Sequence, residues 1–287
     1  YSDDGTIQDV STDTQGTGWT FTTTDGVNEL TLNDYNGGAI QIYKQLDITV
    51  IGENKVTGKY PRTIAAIGST SHDYGGPSVS ITGQEGSRLE VESNLWGIYC
   101  NGSLTIRDCN IGVSCKTDEV SNAAISSGIR STYQATCIQS GDKLTISGCQ
   151  LDLETVNGTD AYKPAYGCIT GLNDLSITDC TVTASSPSIC INAQNQPLTI
   201  EDCTLDITVP QELATNVTAP SGIVNQFSSI EMKGCSGTVK GFIAITVQYV
   251  NEPCTIEIES SDLVLTSSKY GILNMSEDNR FINSDLK

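Results

Sequence analysis

The sequence predicts an all-β protein wound as a parallel β-helix, and three observations carry that prediction. The first is composition, because 34 Thr, 29 Ile and 17 Val against 13 Ala favour pleated surfaces over helices. The second is an internal repeat, Leu-Thr-Ile-x-(Gly/Asp)-Cys-x-Leu-x-Leu. The third is a position inside that repeat where Asp, Gly and Ser interchange.

Clear copies begin at Leu104, Leu144, Leu175, Leu198 and Ile230, a sixth at Ile256 carries Ser261 in place of Cys, and weaker copies begin at Leu46 and Val79. They recur every 23 to 40 residues. Within a copy the apolar residues alternate, as in Leu198, Ile200, Cys203, Leu205 and Ile207, with one change of parity across Glu201-Asp202. Two short strands therefore meet at a bend. The bend residues are Asp108, Gly148, Asp179, Asp202, Gly234 and Ser260, the choice expected of a tight turn with positive φ.

A third strand precedes each anchor: Gly97-Ile98-Tyr99, Cys137-Ile138-Gln139, Cys168-Ile169-Thr170, Cys190-Ile191-Asn192, Ile223-Val224-Asn225 and Gly271-Ile272-Leu273. Long excursions at 116–135, 154–166 and 210–221 separate second from third strands, and all variation in length is expected there. Units of this kind bury their apolar faces only by stacking, about 4.8 Å per coil. About nine coils are expected, the first at Leu30-Thr31-Leu32 with residues 39–43. One domain, residues 19–287, follows a flexible arm or linker at 1–18, and the end at Lys287 without an evident cap reads as part of a longer chain.

With Lys+Arg 15 against Asp+Glu 34 the net charge is −19, which excludes nucleic acid as a natural partner. No stretch reaches the roughly 20 apolar residues of a membrane span; the most apolar run, Gly241 to Val250, is broken by Thr246 and Gln248. No charged, apolar leader opens the chain at Tyr1, so an export signal, if the protein is exported, is removed or left out.

Of the eleven cysteines, Cys109, Cys149, Cys180, Cys203 and Cys235 form one inward column, and Cys137, Cys168 and Cys190 a second beside the isoleucines. They are expected as small, buried, mostly reduced packing residues. Leu at position 180 should overpack the column, and Ser should leave a poorly satisfied hydroxyl at similar cost. Cys100 and Cys115 fall outside both columns and are the candidates for one disulfide.

The segment Gly18-Trp19-Thr20-Phe21, then Glu29-Leu30-Thr31-Leu32-Asn33-Asp34-Tyr35-Asn36-Gly37-Gly38-Ala39-Ile40, then Leu46 to Asn54, resembles the opening of a family of exported bacterial surface proteins. These are pectate-lyase-like β-helices, adhesin-like or carbohydrate-binding. The resemblance implies a single-stranded right-handed parallel β-helix, a secreted or cell-surface location, and a polysaccharide or host or cell-surface glycan as partner, in some members with Ca²⁺. Cysteine ladders depart from that pattern, and no calcium site matches residue by residue.

The excursions are the functional address, since loops carry binding residues. They bring Tyr133, Tyr162 and Tyr166 together with Arg130 and Asp160, flat rings and polar groups suited to sugars. Asp179 and Asp202 share the bend of adjacent coils; with Glu201 they allow a turn, a shared cation such as Ca²⁺, or a carboxylate pair at about 5 to 5.5 Å. Glu231, Glu257 and Glu259 with Lys233 read as a solvated face, and the lone histidine, His72, as a surface loop residue. No Gly-x-Ser-x-Gly element occurs. A non-catalytic, monomeric glycan-binding or adhesion module is favoured, with a β-helix polysaccharide lyase or glycoside hydrolase, or a structural spacer, as alternatives.

Overall fold

The computed structural model describes residues 14–58, 65–69, 76–116, 135–156, 167–210, 220–248, 253–276 and 278–287. Among them every regular element is a β-strand. The Leu-Thr-Ile segments form the first strands of successive coils: Leu46–Ile51, Val79–Gly83, Leu104–Arg107, Leu144–Ser147, Leu175–Thr178, Leu198–Glu201, Ile230–Lys233 and Thr255–Glu259, each parallel to the next. Val27–Asn33 adds a rung before them and Asp278–Ile282 one after. Two of the 12 strands in this sheet pair antiparallel, which leaves ten parallel rungs where about nine coils were expected. The antiparallel pair is Thr14–Gly16 with Trp19–Thr24, a hairpin laid on Val27–Asn33. The strand Thr14–Gly16 lies inside the stretch expected as an arm.

The second strands, from Glu53–Gly58 through Arg88–Ser93, Asn110–Lys116, Gln150–Val156 and Thr181–Ser185 to Thr204–Thr208, make a second parallel ladder. In the third ladder Ile98, Ile138, Ile169, Ile191, Ile223 and Ile245 stand in one register column. The expected alignment on Ile223-Val224-Asn225 is therefore one residue out. Gly222 takes the place of Cys190, because a Cβ there would lie 2.5 Å from Val239 Cγ1.

Length variation is not confined to one gap. Ser236–Val247 and Asp262–Asn274 each run through the second and third ladders as one strand, with a register shift between Gly241 and Ile243. The chain makes no excursion there, while the long interval between Leu46 and Val79 has its extra residues after Ala65–Ser69. Leu104, Ile106, Leu144, Ile146, Leu198 and Ile200 are fully buried, each contributing about 1.5–3 kcal/mol by leaving water.

All six bend residues adopt positive φ: Asp108 52°, Gly148 63°, Asp179 52°, Asp202 51°, Gly234 62° and Ser260 52°. The column continues through Asp34, Gly52 and Asn283. Where glycine follows aspartate in the column there is a reason: Asp34 Oδ1 accepts from Glu53 N at 2.9 Å, and a Cβ on Gly148 would stand 2.5 Å from Asp108 Oδ1. The carboxylate of one coil folds over the glycine of the next. Asp108→Val should cost about 1–2 kcal/mol, since a β-branched residue resists the left-handed region, and Asp108→Gly much less. Equal urea midpoints for the two variants would contradict this role.

All eleven cysteines are buried and free, so the expected bridge at Cys100 and Cys115 is not formed. Cys100 Sγ instead donates to Pro77 O at 3.0 Å, and Cys115 Sγ to Thr136 O at 3.4 Å. The thiols do more than fill space. Cys149, Cys180 and Cys203 donate to the carbonyl two residues back, Ser147, Thr178 and Glu201, at 3.0–3.1 Å. Ser261 and Ser284 make the same bond to Glu259 and Ile282 at 2.9 and 3.0 Å. Serine at this position is thus satisfied, contrary to expectation. In the second column Cys137, Cys168 and Cys190 donate to Glu154, Ser185 and Thr208 carbonyls at 3.3, 3.2 and 3.5 Å, at the second-strand ends.

Candidate functional site

Tyr133, Arg130, Asp160, Tyr162, Tyr166 and His72 lie outside the described residues. The described ends of their excursions, Lys116 and Ala135, Val156 and Gly167, sit at the corner between second and third ladders. Asp179, Glu201 and Asp202 are described, and their main chains tie adjacent coils together. Asp179 N donates to Glu201 O at 3.0 Å and Asp202 N to Lys233 O at 2.8 Å, with both aspartates at the left-handed bend. Among the described residues no group of three or more His, Cys, Asp or Glu side chains is placed to hold a metal ion. On the solvated acidic face, Glu231 stands beside Glu257, and Arg280 and Lys233 approach Glu257 and Glu259 at 3.7 and 4.0 Å.

The outer face of the third ladder carries a different chemistry. Alternation along a strand turns Tyr99, Gln139, Thr170, Asn192, Val224 and Thr246, each beside a core isoleucine, away from the core and into one register column. Thr170, Asn192, Val224 and Thr246 are fully buried yet stand apart from the core cluster, so this part of the column is covered. Two residues further along each strand, a second column runs through Asn101, Gly141, Leu172, Gln194, Gln226 and Gln248, tied by main-chain bonds such as Gln226 N to Ala193 O at 3.0 Å and Gln248 N to Asn225 O at 2.9 Å. Gln194, Gln226 and Gln248 are half-buried, in line on three consecutive coils. Neither column contains a charged residue.

Two features set this strip apart from an ordinary polar surface. At one end Trp96 stacks on Tyr99, ring centroids 4.2 Å apart and planes within 20°, and the Tyr99 hydroxyl bonds Asn101 Oδ1. Further along, Thr170 Oγ1, Asn192 Nδ2 and Thr246 Oγ1 are buried without a hydrogen-bond partner, although Asn192 Oδ1 accepts from Gln226 Nε2 at 3.3 Å. Unbonded buried groups cost about 1–3 kcal/mol each; with no accessible surface, Thr170, Asn192 and Thr246 are closed to a ligand, and Ser87, Ser114 and Thr155 are left in the same way elsewhere.

The outer face of the second ladder, by contrast, holds a shallow groove of about 350 Å³ whose lining includes Glu90, Asp152, Glu154 and Asp206 together with Thr183 and Ser185. Arg88 at its edge is engaged by Glu90 and by Asn110 Oδ1 at 2.9 Å. Beside the third ladder's corner, Asp142 accepts from Ser103 Oγ at 2.8 Å and Asn173 Nδ2 at 3.3 Å. Those bonds, the Ser103 one first, hold its carboxyl below the usual range.

The uncharged strip was missed in the sequence because its members are 22 to 40 residues apart. A signal did exist: Gln194, Gln226 and Gln248 each fall three residues after the third-strand isoleucine, at Ile191, Ile223 and Ile245. Comparison with family models, with curated proteins and with solved structures returns no match. The wound parallel sheets are the fold, and no family identity rests on them.

Proposed function

We propose that the protein is a non-catalytic, extracellular glycan-binding module that reads sugar hydroxyls along the outer face of its third ladder. The observation that carries this reading is the strip itself: side-chain amides of Gln194, Gln226 and Gln248, each able to donate and accept, in line with the Trp96–Tyr99 stack. Amides match hydroxyl-rich ligands, and aromatic faces cover the apolar faces of sugar rings. A static rod that repeats one residue type from coil to coil suits a repeating polymer. The two columns contain no acid or base, and Asp142, the carboxylate beside them, is kept ionised by its bonds, which suits orientation of a ligand and not proton donation.

Binding is tested on an array of soluble and surface polysaccharides, with reducing-end and unsaturated-product assays run alongside. The expected result is retention of at least one glycan without cleavage, weakened at least tenfold in Trp96→Ala and in Gln226→Ala at unchanged circular dichroism. Accumulating products would replace this reading with that of a lyase or hydrolase. Retention unchanged in both variants would move the site off the strip.

A further inference from the structure

We draw no further inference here: the strongest candidate, the shallow acidic groove on the outer face of the second ladder lined by Glu90, Asp152, Glu154 and Asp206, is a cluster of carboxylates, and nothing else in the structure points to what would occupy it.

Discussion

Gly237→Val is expected to lower stability by about 3 kcal/mol or more, and Gly237→Ala by somewhat less. Gly237 stands in the column of Ile111, Leu151, Val182, Leu205 and Leu263, where an apolar side chain would be the ordinary choice. It is glycine because its φ is +113° and a Cβ would strike the Leu205 carbonyl oxygen, with Leu205 N and C at 3.0 Å. A side chain in that backbone region costs roughly 1–3 kcal/mol, and displacing a packed neighbour costs a further 1–3 kcal/mol or so. The obstacle is backbone, so no rotamer relieves it. Urea unfolding of the two variants measures the effect; an alanine variant with the parent's midpoint would show that the strand relaxes and that the strain is not there.

Gly237 also shows what kind of information the sequence carries. The repeat made the core and the bend readable, since Leu-Thr-Ile at fixed offset from a Gly, Asp or Ser encodes strand, turn and strand in ten residues. Local chemistry dictates both, and the positive φ at Asp108, Asp179, Asp202 and Ser260 follows from it. Register across coils is not local. The slip at Ile223 arose because Gly222 stands where Cys190 stands one coil earlier, a substitution set by Val239 pressing on that spot. Fusion of two strands in Ser236–Val247 escaped for a related reason: what matters is a missing excursion, and Gly241 looks like a loop residue until Gly222 and Val209 are placed against it. The uncharged strip is the extreme case. Gln194 or Gln248 alone is an unremarkable polar residue, and only the winding of the chain sets them in line.

Cysteine-to-serine exchange at position 180 should be nearly neutral, within about 1 kcal/mol, whereas Cys180→Leu should cost about 1–3 kcal/mol by overpacking. The reason lies in what the sulfur does. Cys180 Sγ donates to Thr178 O at 3.0 Å and accepts from Cys149 N at 3.4 Å. Three coils on, Cys235 N donates to Ser261 Oγ at 3.1 Å, and Ser261 N to Ser284 Oγ at 3.2 Å, so a hydroxyl already fills both roles in this column. Cys180→Ala should then cost more than Ser, since it leaves the Cys149 amide unbonded in the core and takes one of two donors from the Thr178 carbonyl, which keeps Gly148 N at 3.1 Å. The order Ser, then Ala, then Leu distinguishes a hydrogen-bonding thiol from a merely small one, which would put Ala first. Alkaline stability gives an independent reading. Burial pushes the Cys109 thiol up to about 11 from its ordinary value of 9.0, and Cys100 likewise to about 11, again chiefly by burial. A raised value in the folded state means that the contribution is complete below pH 9 and is lost as pH rises from 9 through 11. Each such thiol should then steepen the alkaline limb by roughly 1.4 kcal/mol per pH unit in that window. Cys109→Ser removes one titrating group, so its unfolding free energy should fall less than the parent's between pH 9 and 11. Parallel curves for parent and variant would mean that the thiol ionises as readily folded as unfolded, which its burial forbids.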